Sequence, residues 1–173
     1  IKLKIPKSAE FFWKTALASA DYSFNLSHAV AYASLSATTV YLKFKYPQHF
    51  FLSLLKMAKN EPNPIDEISK IEKELVNFNI KLLPPHLIKS KDDFSIEGND
   101  IRFGLSSIKG VSEKTIQSVN EFRGEFKNKF DIYESANTAH LNIGILCSLI
   151  QCGCIDGFKQ SRSKLVYEAQ LWN

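Results

Sequence analysis

Apolar residues recur at helical spacing through residues 1–80, and prolines mark the breaks between them. We predict one helix that is capped by Ser8 and runs to about Ala20. A longer helix, capped by Ser27, is expected to extend from His28 to about Tyr46. This part of the chain should therefore be helical.

Two further helices are predicted to carry proline in their first turn, where its missing N–H costs nothing. One begins at Pro47, and the other follows Asn63. The second is amphipathic, because its apolar residues fall on one stripe: Ile65, Ile68, Ile71, Leu75 and Phe78.

The helical pattern ends in a short extended run over 80–83. All seven glycines lie at or beyond Gly98, which indicates a different architecture for the rest of the chain. Alternating runs over 94–97 and 100–103 flank Gly98-Asn99 and predict a β-hairpin. From Gly104 onward, short helices joined by glycine-containing turns are expected. The predicted fold class is mainly α with a small β element, and the predicted domains are 1–80, 81–103 and 104–173.

Composition is that of an ordinary globular protein, with 173 residues, 45% hydrophobic and 23% charged. No apolar run reaches the ~18 residues of a membrane span, so no membrane partner is expected. The first residue is not Met, which suggests a piece of a longer protein.

The net charge of +4 is unevenly distributed. Residues 1–60 carry eight lysines against two acidic residues, 61–100 carry five against nine, and 101–173 carry nine basic residues against seven acidic ones. Two basic regions around an acidic spacer fit either a polyanionic partner or an ordinary solvated surface.

Three cysteines, Cys147, Cys152 and Cys154, lie within eight residues. An odd, crowded set argues against a disulfide framework and predicts a reducing, cytoplasmic compartment. The spacing is not that of a zinc knuckle, and His140 is the only further ligand nearby. We therefore expect buried core thiols rather than a metal site.

One segment has the pattern of a helix-hairpin-helix, with Gly110 and Val111 in the turn and Ser112 capping the second helix. Glycine allows a positive φ and a close backbone approach. Backbone N–H groups at the start of the second helix could then donate to a phosphate oxygen. Lys109 and Lys114 would add positive charge. The alternative is an ordinary glycine turn between two helices.

A second such unit is predicted about forty residues further on. Its first helix covers 142–151, its turn covers 152–158, and its second helix begins after Ser161. Arg162 and Lys164 lie in the first turn of that helix, where basic side chains oppose the helix dipole. A neighbouring phosphate would explain them, although solvated basic residues are also common there.

A third constellation lies at the start of a predicted helix, where Ser27 precedes His28 and Tyr32 at i, i+4 spacing. Hydroxyl and imidazole donors beside a helix start suit a phosphate, and the tyrosine ring suits a sugar or base. The alternative is that His28 caps the helix or packs against neighbouring side chains.

Several short strings occur in the order and spacing of one family, so that the chain resembles the α subunit of bacterial DNA polymerase III, the C-family replicative polymerase. The resemblance covers about residues 10 to 170. The strings are YSFNLSHAVAY at 22–32, YLK at 41–43, YP at 46–47, LLPP at 82–85, IRFGL at 101–105, IKGV at 108–111 and FD at 130–131.

This resemblance implies that residues 1–80 form the end of the fingers domain and that a tandem helix-hairpin-helix module from about residue 104 holds duplex DNA. It implies an incoming-nucleotide site at Ser23, Asn25, Ser27, His28 and Tyr32. The palm domain, whose carboxylates hold Mg²⁺, is not expected in this chain, so no catalytic residue, metal site or cofactor is predicted here.

The sequence thus predicts a polymerase segment that contacts the incoming dNTP, the duplex DNA backbone and the remaining polymerase domains, and that is inactive alone. Two alternatives stay open. One is a stand-alone, non-catalytic helix-hairpin-helix DNA-binding accessory protein. The other is a helical protein–protein scaffold, which would show no salt-dependent DNA binding.

Overall fold

The computed structural model describes residues 7–19 and 26–172. The chain divides into two compact units, Ile1–Lys45 and Tyr46–Asn173. Helices dominate both units and a three-stranded sheet lies in the second, which confirms the predicted mainly α class with a small β element. None of the helices in the described ranges combines the length and the apolar character of a membrane span. The predicted boundaries after residues 80 and 103 stay predictions.

The first unit contains α1, Lys7–Ala18, and α2, Leu26–Lys45. Both helices were predicted, but each begins before the serine expected to cap it. Ser8 and Ser27 therefore lie inside the first turns, and the two cap predictions are wrong. No residue of α2 is buried.

The second unit begins with two helices whose prolines stand at their starts, as predicted. A 3-10 turn and three short strands follow. The elements are α3 (Pro47–Ala58), α4 (Pro64–Leu75), the turn Val76–Phe78, β1 (Leu82–Leu83), β2 (Ser95–Glu97) and β3 (Asp100–Arg102).

One apolar core joins these helices to the sheet. It contains six buried residues: Phe51, Leu55, Leu75, Ile80, Phe94 and Ile101. The sheet order is β1-β3-β2, with β2 antiparallel to β3 across the predicted Gly98-Asn99 turn. Gly98 has a φ of 63°, a backbone conformation that glycine tolerates. The parallel pairing of β1 with β3 was not predicted.

Arg102 connects the ends of the three strands from a nearly buried position. Its guanidinium donates to both carboxylate oxygens of Glu97, at 2.7 and 2.6 Å, and to the Pro84 carbonyl oxygen at 2.9 Å. Buried charges are stable only when paired and hydrogen-bonded in this way. The pairing brings the LLPP and IRFGL strings together.

A second core is formed by the last four helices and the 3-10 turn Leu105–Ser107. The helices are α5 (Ile116–Phe122), α6 (Lys129–Thr138), α7 (Ile143–Gln151) and α8 (Arg162–Trp172). Val119, Ile132, Leu149 and Leu165 each contribute a side chain that is at most 2% exposed. Phe103 packs against both cores of the second unit.

Candidate nucleic-acid interface

The turn around Gly110 is anchored by two apolar side chains. Ile108 and Val111 are 7% and 6% exposed, and both belong to the second core. The Val111 N–H donates to the Ile108 carbonyl at 3.0 Å, which closes the turn. Gly110 lies between them with a φ of 89°, as the predicted hairpin requires. Val111 therefore holds the turn rather than offering its side chain to a ligand.

The surface of this turn offers donors and positive charge. Lys109, Ser112 and Lys114 are exposed. Within the described part of the chain, no acceptor faces the backbone N–H groups of Gly110, Glu113 and Lys114. Such N–H groups beside two lysines form a small surface suited to an anionic oxygen.

Ser112 starts the hydrogen-bonded turn that leads into α5. Its carbonyl accepts from the Thr115 and Ile116 N–H groups at 3.0 and 2.9 Å. Its own N–H donates to the Thr115 Oγ1 at 2.8 Å. The N-cap residue of α5 is Thr115, and it makes no side-chain cap hydrogen bond, so the predicted cap at Ser112 is wrong. Regular helix begins only at Ile116, because these bonds first form a tighter turn.

The first helix of this hairpin is short, as predicted, and has 3-10 geometry over Leu105–Ser107. Gly104 precedes it, and a Cβ there would lie 2.7 Å from the Asp93 Cα, so the backbone of this segment is packed too closely for any side chain.

The second hairpin has the predicted elements. Asn142 caps α7 by accepting from the Gly144 N–H at 2.8 Å. The helix ends in a Schellman motif, in which Gly153 has a φ of 82° and the Cys154 N–H donates to the Leu149 carbonyl at 3.0 Å. The Ser161 carbonyl then accepts from the Leu165 N–H at 3.1 Å, and α8 begins at the next residue, Arg162.

Arg162 is engaged inside this second turn. Its Nε and Nη2 donate to the two carboxylate oxygens of Asp156, at 3.0 and 2.5 Å. A Cβ on Gly153 would lie 2.7 Å from the Arg162 Cζ, and the positive φ of 82° at this position also disfavours an L side chain. Lys164 is exposed on the same first turn of α8. Asp156 was missed from the sequence, because no spacing rule pairs it with Arg162.

The predicted nucleotide-site residues are described only in part. Ser23 and Asn25 lie outside the described residues. Ser27, His28 and Tyr32 all lie exposed on α2. The rings of His28 and Tyr32 are 4.4 Å apart between centroids and tilted by 50°, as their i, i+4 spacing predicts.

The cysteines only partly follow the prediction. Cys147 and Cys154 are buried, whereas Cys152 is half-buried at the end of α7, so the prediction of burial is wrong for Cys152. Residues 7–19 and 26–172 contain no group of three or more metal-ligating side chains arranged to hold an ion.

A family model described as the helix-hairpin-helix motif matches residues 79–165, about half of the chain. That range includes the first hairpin and the second as far as the first turn of α8. The chain therefore belongs to the helix-hairpin-helix motif family.

The chain is also similar to proteins named DNA polymerase III subunit alpha. It is 36% identical over 158 residues to that of Aquifex aeolicus, covering 89% of this chain and 13% of the relative. The relative from Campylobacter jejuni is 37% identical over 163 residues, covering 91% and 13%. That from Bacillus subtilis is 35% identical over 150 residues, covering 85% and 13%. The resemblance to this polymerase family is thus confirmed, and the chain spans about an eighth of the length of these relatives.

Proposed function

We propose that this chain is a segment of a replicative DNA polymerase that binds duplex DNA through its phosphate backbone. The observation that carries the proposal is the Gly110 turn, with exposed backbone N–H groups between Lys109 and Lys114. The similarity to DNA polymerase III α subunits supports the same partner.

Binding by this turn needs no recognition of bases. The N–H groups of Gly110, Glu113 and Lys114 would donate to phosphate oxygens, and the two lysines would add favourable charge. At the second hairpin Lys164 would add favourable charge, and Arg162, which is paired with Asp156, would have to exchange that partner for a phosphate. Phosphates occur in every sequence, so the segment should bind duplex DNA without sequence preference.

We further propose that Ser23, Asn25, Ser27, His28 and Tyr32 contribute to an incoming-dNTP site, and the last three of these lie on α2. The exposed, contacting rings of His28 and Tyr32 support this role. Large apolar side chains such as Val30, Leu35 and Phe44 are also exposed on α2, which supports a helix that packs against further polymerase domains. Mg²⁺ and the catalytic carboxylates would be supplied by those domains.

The test is a salt titration of duplex binding by the 173-residue chain. With ~3–4 phosphates contacted, affinity should fall by about tenfold to a hundredfold between about 50 and 200 mM salt. Lys109→Gln with Lys114→Gln should weaken binding and lower the salt slope by about two. Lys73→Gln, an exposed lysine on α4, is the matched control and should change neither. Absence of binding at low salt, or binding indifferent to salt, would contradict the proposal and favour the scaffold alternative.

A further inference from the structure

Cys152 and Cys154 place two thiols side by side at the end of α7. Their sulfur atoms are 3.4 Å apart, across the Schellman turn at Gly153. The positive φ of 82° at Gly153 folds the chain back, which lets side chains two residues apart meet. A disulfide has a sulfur–sulfur distance of about 2.05 Å, so closure requires only a small movement.

We propose that Cys152 and Cys154 form a redox-active dithiol, a modification site whose substrate is a low-molecular-weight disulfide such as oxidised glutathione. The site is defined by the two sulfurs and by the Gly153 turn of the second hairpin that carries them.

The two cysteines have different environments, which assigns their roles. Cys152 is half-buried, whereas Cys154 is 3% exposed, so Cys152 is the more accessible of the two. The hydrogen bond between the two thiols lowers the pKa of Cys152 to about 7, with a smaller contribution from the positive charge of Arg162. The same hydrogen bond, followed by burial, raises the pKa of Cys154. Cys152 is therefore the attacking thiolate and Cys154 the resolving thiol.

Asp156 and Arg123 complete the charged surroundings of the pair. Asp156 acts on Cys154 in the same direction as burial, whereas Arg123 opposes it. Arg162, whose positive charge lowers the pKa of Cys152, donates two hydrogen bonds to Asp156 beside the turn.

The reaction takes place in two steps that balance. The Cys152 thiolate attacks one sulfur of oxidised glutathione, forms a mixed disulfide and expels one glutathione thiolate, which takes up the proton lost by Cys152. Cys154 then loses its proton and attacks the Cys152 sulfur, which expels the second glutathione as a thiol. The protein loses two electrons and two protons, and the glutathione disulfide gains both.

The experiment incubates the reduced, folded chain with oxidised glutathione and follows its mass and its thiols. We expect a product lighter by two hydrogen atoms, in which digestion without reduction locates a bond between Cys152 and Cys154. Cys147 should keep its thiol. Cys147→Ser is the matched control and should form the same bond.

Single variants separate the two roles. Cys154→Ser should accumulate the glutathione adduct on Cys152, and Cys152→Ser should react about tenfold more slowly, since an ordinary thiol is mostly protonated at neutral pH. A bond that includes Cys147, or equal rates for Cys152→Ser and the unchanged chain, would overturn the proposal. So would three intact thiols after incubation of the folded chain. Circular dichroism of each variant verifies the fold.

Discussion

Gly110 combines two properties in one residue: a left-handed backbone and an exposed turn between buried neighbours. Its φ of 89° strains any L side chain, and a β-branched one most. A side chain at this position would be strained by its backbone conformation and not by a steric clash, because the nearest atom to a Cβ there is the Ile145 Cγ1 at 3.9 Å. Gly110→Val should therefore distort the turn and weaken duplex binding by about tenfold or more, at a strain of ~1–3 kcal/mol. Fluorescence anisotropy with labelled duplex measures the loss.

The matched control for this substitution is Gly98→Val. Gly98 also has a positive φ, 63°, and no atom lies within 4 Å of its Cβ position. It lies in the β2–β3 turn, so its substitution should destabilise the chain comparably while the folded fraction still binds duplex. If Gly110→Val stays helical by circular dichroism and binds like the unchanged chain, the first hairpin is not the DNA contact.

Single residues show where sequence-based prediction stops. The positive φ of Gly110 could be predicted, because a glycine in a tight turn between the apolar residues Ile108 and Val111 commonly adopts this conformation. The engagement of Arg162 by Asp156 could not, since it depends on a turn that folds over Gly153. The sequence therefore predicted that Arg162 lies beside a phosphate or in solvent, and did not predict its pairing with Asp156.

At the scale of elements, the contact between α6 and α8 includes a buried phenol. The Tyr133 hydroxyl donates to the Leu165 carbonyl at 3.2 Å and lies 3.4 Å from Glu168 Oε2. Burial, reinforced by the negative charge of Glu168, raises the pKa of Tyr133 to about 12. The folded state holds this proton more tightly than the unfolded state does, so the protonated phenol contributes to the free energy of unfolding. That contribution is fully present below about pH 10 and is lost as the pH rises towards 12.

Tyr133→Phe should therefore make the free energy of unfolding less sensitive to pH between about 10 and 12, by at most about 2–3 kcal/mol. Urea denaturation at several pH values measures this slope. Tyr167→Phe is the control, because Tyr167 lies on α8 with 63% of its surface exposed. Equal slopes for the two variants would show that the Tyr133 proton is not linked to folding.

Elements marked by local signals were predicted well. Prolines in the first turn located α3 and α4, and Gly98-Asn99 located the β2–β3 hairpin. The parallel β1–β3 pair was not predictable, because Leu82 meets Ile101 across 19 residues and each strand is very short. The short helix Leu105–Ser107 was predicted without its 3-10 geometry, which accompanies the close packing of the backbone at Gly104.

At the scale of the whole molecule, nucleotidyl transfer requires a cluster of carboxylates that binds two metal ions side by side. The described residues bring together no such group. We expect no primer extension by the chain alone with primer-template, Mg²⁺ and all four dNTPs, as followed on a denaturing gel. Extension by clean protein, retained after a change of expression host, would contradict the proposal that this chain is a non-catalytic segment.

The two compact units carry different proposed roles, which makes them separable by mutation. The hairpins lie in Tyr46–Asn173, whereas His28 and Tyr32 lie in Ile1–Lys45. If both units serve one polymerase, changes in α2 should alter the use of dNTPs without altering duplex affinity. A stand-alone DNA-binding accessory protein would show no such nucleotide effect.

His28→Ala and Tyr32→Ala should accordingly raise the apparent KM for dNTP, or lower kcat/KM, in a complete polymerase that carries this segment. The two rings are 4.4 Å apart, Tyr32 is 61% exposed and His28 is also exposed. A loss of ~1–3 kcal/mol suits a hydrogen bond to a charged phosphate. Leu35→Ala, another large exposed side chain on α2, is the matched control. If His28→Ala and Tyr32→Ala lower only the melting temperature and leave the kinetics of the folded enzyme intact, both residues pack rather than bind nucleotide.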